Sequence, residues 1–157
     1  MKVLVSYFSA SGATKDVASL LARLLDADLE EIKPTSKYSD EDLDWQDDHS
    51  RSSLEMKDEN CRPAIEKPVR DLSTYDIVFV GYPIWWYVET RIVDTYLDCF
   101  DLEGKRIIPF ATSGSSSIRQ SVQHLRNLYS KANIEEGFLL NHGIDEKKIR
   151  ERINGGK

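Results

Sequence analysis

Cysteine is nearly absent from this 157-residue chain, which carries only Cys61 and Cys99. The two share no Cys-x-x-Cys spacing, so neither a disulfide scaffold nor a thiolate metal site is expected, and both are read as free thiols. Histidine is as sparse: His49, His124 and His142 stand apart, with no paired metal-ligand spacing, and the sequence predicts no metal site. No segment reaches the ~18 consecutive apolar residues of a membrane span. Met1-Lys2 leads straight into an apolar strand without a signal-peptide core, which predicts a cytoplasmic location away from any membrane. Positive charge is in deficit, 21 Lys and Arg against 27 Asp and Glu for a net charge of −6, and this argues against a nucleic-acid partner. Also missing are the Gly-Lys-Ser/Thr of a Walker loop, the Gly-rich dinucleotide fingerprint and the Gly-x-Ser-x-Gly elbow of hydrolases. The length suits one domain, 1–157, with a full core.

What is present starts at Val3-Leu4-Val5-Ser6-Tyr7-Phe8, an apolar run that reads as a central strand of a parallel sheet. It runs into Ser9-Ala10-Ser11-Gly12-Ala13-Thr14, and Val17, Leu20, Leu21 and Leu24 then recur at helical spacing. Three hydroxyls and the backbone N–H groups of this turn therefore stand at a helix N-terminus, whose partial positive charge suits a phosphate. Gly12 lets the backbone approach a ligand closely. A Ser/Thr-rich helix cap is the plainer alternative.

Asp28-Leu29-Glu30-Glu31-Ile32 alternates as an edge strand would. From Thr35 to Pro68 the chain is polar and acidic, with Asp40-Glu41-Asp42-Leu43-Asp44 and Trp45; a helix is expected from about Asp48 to Glu59, and a helical turn at Ala64-Ile65-Glu66 between Pro63 and Pro68. Tyr75 to Gly81 reads as the next buried strand, and Val88, Ile92, Val93, Tyr96 and Leu97 as a helix. Lys105 to Ala111 gives a strand, Ile118, Val122, Leu125 and Leu128 a helix, Gly137 to Asn141 a last strand, and Ile149 with Ile153 a closing helix. Alternating strands and helices with long crossovers predict an α/β three-layer sandwich around a five-stranded parallel sheet, order 2-1-3-4-5.

In such a sheet ligands bind beyond the carboxyl ends of the strands, where strand order reverses. Three segments meet there. The first is the phosphate turn, Ser9 to Thr14. The second is Tyr82, Pro83, Ile84, Trp85, Trp86 and Tyr87, an aromatic cluster that suits a stacked planar ring; a subunit interface is its alternative. The third is Thr112, Ser113, Gly114, Ser115, Ser116 and Ser117, whose N–H donors and hydroxyls suit the polar edge of a flavin; a polar connection capping its helix is the alternative. Together they predict a site for flavin mononucleotide, FMN.

Ser-x-Ser-Gly-x-Thr after strand one, Gly-Tyr-Pro-Ile-Trp-Trp-Tyr after strand three, Ile-Pro-Phe-Ala-Thr-Ser-Gly-Ser after strand four, and Ser52-Ser53-Leu54-Glu55-Met56-Lys57-Asp58 leading to Arg62-Pro63 resemble the flavodoxin-like FMN proteins of the Gly-x-Pro-x-Trp-Trp type. The likeness thins after Tyr129. It implies a flavodoxin-like fold, FMN phosphate at Ser9, Ser11, Gly12, Ala13 and Thr14, the flavin ring at Pro83 to Tyr87, and its polar edge at Thr112 to Ser115. No residue of the chain is assigned as catalytic, because the flavin carries the chemistry.

Two roles follow from the resemblance: an electron carrier that docks on redox partner proteins, or an NAD(P)H-dependent reductase passing two electrons to a small acceptor such as a quinone, as monomer or homodimer. A flavin-free scaffold on the same fold is the third reading. One-electron flavodoxins flip a peptide at the position of Trp86-Tyr87, and positive φ is unexpected at bulky residues, so the pattern leans toward two-electron chemistry.

Overall fold

The computed structural model describes residues 1–113, 117–141 and 143–155. Gly114, Ser115 and Ser116 of the serine segment, and His142, lie outside the described residues. Strands β1 (Val3–Tyr7), β2 (Asp28–Glu31), β3 (Ile77–Trp85), β4 (Val88–Glu89), β5 (Arg106–Thr112), β6 (Asn133–Ile134) and β7 (Phe138–Leu139) alternate with helices α1 (Ala13–Leu25), α2 (Arg51–Lys57), α3 (Arg91–Leu97), α4 (Arg119–Leu128) and α5 (Glu146–Gly155). The parallel order across the sheet is β2-β1-β3-β5-β6, with β7 also on β5 and β4 folded back antiparallel on β3. The expected 2-1-3-4-5 arrangement is therefore present, built among the described residues from seven strands rather than five.

Proline explains the extra strand at the sheet's edge. Ile107 and Ala111 of β5 turn their carbonyls toward the last strand position, accepting from the N–H groups of Glu135 and Leu140. Pro109 lies midway between them and faces the same way, but has no N–H to offer. The partner strand breaks at that level: β6 pairs Ile107 with Ile134, β7 pairs Phe110 with Phe138, and the offset between partners grows by one residue. The periodicity of Gly137 to Asn141 pointed to β7 alone.

The central strands β1, β3 and β5 divide their side chains between two cores. Leu4, Val78, Val80, Tyr82, Ile107 and Ala111 face α3 and α4, whereas Val3, Val5, Ile77, Phe79, Ile108 and Phe110 face α1 and α5. Across the second face runs the row Tyr7, Gly81 and Phe110, in register on β1, β3 and β5. Gly81 leaves the space into which the Phe110 ring packs, so the glycine is a packing residue there.

The acidic segment has more structure than its composition suggests. Helix α2 is shorter than expected, and residues 64–66 are extended instead of helical: Thr35 donates to the Ala64 carbonyl at 2.9 Å and Glu66 to that of Lys33 at 2.8 Å. Three residues between prolines are too few to repay the cost of nucleating a helix, and their backbone groups pair instead with residues 33–35, just past the outer strand. The buried Glu30 carboxylate, accepting from Val69 N–H, Arg70 N–H and the Tyr96 hydroxyl, ties the following residues down. Cys61 and Cys99 are free thiols. Among the described residues no helix is long and apolar enough to cross a membrane.

Candidate functional site

Helix α1 starts at Gly12, whose φ of 100° lies in the left-handed region. No side chain caps the helix, and the space where a Cβ would stand at Gly12 is open. The first turn therefore has no capping side chain at the positive end of the helix. Ser9 Oγ accepts from the Gly12 N–H at 3.0 Å, which folds the turn over the helix start and keeps the Ser9 hydroxyl proton free to donate outward. Thr14 is buried, and its hydroxyl lies 2.9 Å from that of Thr112. This bond joins the first loop to the third across 98 residues of sequence.

The second segment differs from its expected form. Instead of ending at Gly81, β3 continues to Trp85, and the chain reverses through Trp86 and Tyr87 into β4, pairing Trp85 with Val88 and Ile84 with Glu89. Both turn residues have positive φ, 48° and 73°, in place of the expected avoidance of that region. A two-residue hairpin must match the twist of its strands, which the I′ turn does with φ > 0 at both positions. The demand of the hairpin overrides the preference of the side chains. Replacing Tyr87, 60% exposed, by Gly is expected to stabilise the fold by about 0.5–1 kcal/mol in chemical denaturation, because little burial is lost and the αL cost disappears.

The neighbouring indoles have separate surroundings. Trp85 packs edge-on against Phe8 and Tyr38, with ring centroids at 6.1 and 5.6 Å, while Trp86 is 43% exposed at the tip. Tyr38 is held in turn by a 2.6 Å hydrogen bond to Glu55 and by the Arg51 guanidinium 3.7 Å above its ring. Burial, then that Glu55 bond, pushes the Tyr38 phenol up.

A crevice of about 450 Å³ opens where the three segments meet. Ala13 and Val17 line it from α1, Pro83, Ile84 and Trp85 from β3, and Thr112 and Ser113 from the end of β5. Leu140 and Asn141 complete it, a contribution the sequence reading missed. The Ser113 N–H donates to Asn141 Oδ1 at 2.8 Å, and the Asn141 amide donates back to the Ser113 carbonyl. A polar residue just past a strand end was the only signal that could have pointed to Asn141.

Other expected residues stand elsewhere. Ser9 and Ala10 line a different hollow of about 510 Å³, in which Lys15, Lys33 and Lys37 stand with Glu31 and Glu66. Tyr82 is wholly buried; its hydroxyl donates to Ser121, which donates to Glu89, and burial with the nearby Glu89 carboxylate pushes the phenol up. Its side chain serves the core under the loop, because residue 82 points to the α4 face. Ser117 is exposed and lines a separate hollow with Ile118, Arg119 and Glu136.

A doubly wound α/β sheet with an uncapped helix start, an aromatic hairpin and a polar strand end around one crevice defines the flavodoxin-like class. The chain belongs to the flavodoxin family, whose model, described as Flavodoxin, matches residues 2–155. Among solved structures, a Bacteroides eggerthii protein described as a flavoprotein is 46% identical over 98% of this chain and 96% of its own, with a TM-score of 0.92. A second, from Bacteroides uniformis, is 43% identical over 98% and 97%, at 0.90. A Lactobacillus acidophilus flavoprotein solved in complex with FMN is 22% identical over 96% and 97%, at 0.76, and shares the fold. No curated protein matches the chain.

Proposed function

We propose that the chain is an FMN-binding redox protein, an electron carrier or small oxidoreductase. The observation that carries this reading is the single crevice shared by Ala13 of the first loop, Pro83 to Trp85 of the second and Thr112 of the third. The uncapped start of α1, with open space over Gly12, suits the phosphate of a mononucleotide. Ser9 has a proton to donate to a phosphate oxygen, Ser11 is exposed beside it, and Ala13 stands at the first helical position. Trp86 and Tyr87 offer aromatic faces to a flavin, with Trp85 buttressed behind by Phe8 and Tyr38. Bound FMN would supply hydride or electron transfer, while the chain provides position and exclusion of water. The name of the Lactobacillus acidophilus structure, a complex with FMN, agrees with this choice of cofactor.

The turn geometry favours the two-electron alternative, an NAD(P)H-dependent FMN or quinone reductase. Flipping the Trp86–Tyr87 peptide would convert a I′ turn into II′, which calls for glycine at the first central position. Trp86 opposes that change, so the loop lacks the easy switch of a one-electron carrier.

The visible spectrum of the purified protein is expected to show bound flavin, and a colourless protein that also fails to bind added FMN would leave the flavin-free scaffold standing. Under anaerobic conditions, NADH or NADPH is then expected to bleach the flavin within the mixing time of a stopped-flow experiment, without a partner protein. Flavin that stays oxidised under excess nicotinamide would assign the chain to the carrier role, served by redox partner proteins.

A further inference from the structure

On the α3 and α4 side of the sheet, behind the aromatic hairpin, Glu89 of β4, Asp94 of α3 and His124 of α4 form one cluster. A candidate ligand atom of each lies within 4.8 Å of the other two. Glu89 and Asp94 are wholly buried, whereas the His124 side chain is 17% exposed and gives the cluster an opening to solvent. Asp94 Oδ2 is buried with no hydrogen-bond partner, and the Tyr129 hydroxyl reaches Oδ1 only at 3.4 Å. Of the nearby cations, Arg62 donates to Asp98, and Arg91 donates to the Asp58 and Met56 carbonyls while its Nη1 is buried without a partner; no hydrogen bond joins either to Asp94 Oδ2. Two carboxyl groups share a desolvated space, and something positive, a proton or a cation, must lie between them.

We propose that Glu89, Asp94 and His124 form a binding site for one divalent transition-metal ion of the zinc type, with water as the remaining ligand. An imidazole nitrogen with two carboxylate oxygens is a zinc-type donor set, and the nitrogen sets it apart from all-oxygen magnesium or calcium cages. The supporting shell is in place, since Ser121 donates to Glu89 Oε1 at 2.9 Å and so fixes the carboxylate. His124 Nδ1 now stands 2.6 Å from Glu89 Oε2, the spacing of a direct hydrogen bond. Ligands about 2.0–2.2 Å from a tetrahedral ion sit farther apart than this, so binding requires a small rotation of the imidazole, whose Nε2 lies 3.8 Å from Glu59 Oε1 at the rim. The ion would clamp the return strand of the hairpin to α3 and α4. This inference does not rest on the flavin reading.

Metal-stripped protein titrated with zinc sulfate in a calorimeter tests it. One ion per chain is expected to bind at micromolar concentration or tighter and to raise the melting temperature, with magnesium doing neither. Cobalt(II) is expected to give d–d bands to the red of flavin absorption. Asp94→Asn, which replaces an anionic ligand by a neutral amide, and His124→Ala, at the accessible rim, are each expected to weaken zinc binding at least tenfold while circular dichroism stays native. Absence of stoichiometric zinc binding overturns the proposal and assigns the carboxyl pair to a shared proton. Zinc binding that both variants leave unchanged also overturns it, placing the ion on the acidic turns or on a free cysteine.

Discussion

Gly12→Asp is expected to lower FMN affinity about 100-fold, read as loss of quenching when apoprotein is added to fluorescent FMN. Two effects add. At φ 100° any L side chain is strained, at a cost on the order of 1–3 kcal/mol that shifts the turn away from its ligand-ready shape. The carboxylate also enters the open space over the start of α1, where it takes the place of a phosphate and repels it. A 100-fold loss corresponds to about 2.7 kcal/mol, within the reach of the two together. Gly12→Ala separates them, because it keeps the strain without the charge and should lose roughly tenfold. Quenching unchanged by Gly12→Asp would remove the phosphate site, and the FMN reading with it.

Gly81→Ala is expected to cost about 3 kcal/mol of stability or more, with a melting temperature lower by roughly 10 °C. A methyl on Gly81 would overlap Cζ, Cε1 and Cε2 of the Phe110 ring. That ring is fully buried between strands in fixed register, so it has no exposed volume into which to swing. Phe110→Leu alone destabilises by leaving a cavity, yet in combination with Gly81→Ala it should recover part of the loss, since the two changes share one space. Strict additivity in the double-mutant cycle would show that the glycine is needed for another reason.

The two substitutions probe different levels of information. The phosphate turn was legible because the signals are local: an apolar run, then hydroxyls around one glycine, then 3.6-residue periodicity. The same reasoning gave the strand order, since crossover lengths and handedness leave few alternatives. The packing role of Gly81 was not legible, for nothing near it in sequence announces a phenylalanine 29 positions away. Its meaning depends on the register of β3 and β5.

The aromatic segment shows where local reasoning stops. The pattern Trp85-Trp86-Tyr87 announces exposed rings, but strand propensity could not reveal that β4 would pair back and force two bulky residues to positive φ. Hairpin closure is a contest between the ladder's hydrogen bonds and side-chain sterics, and only the assembled sheet decides it. Residues 64–66 were misread for a similar reason: their partners, residues 33–35, lie outside any helical window.

Sequence alone settled what depends on neighbours along the chain: the alternating elements, the apolar faces, the glycine turn and the excess of negative charge. Tertiary structure alone decided what depends on distance in space, namely the Thr14–Thr112 link, the place of Asn141 in the crevice, and the meeting of Glu89, Asp94 and His124 from three elements. Periodicity records which way a side chain faces. Which residue it meets there is fixed only when strand register and helix packing bring the layers together.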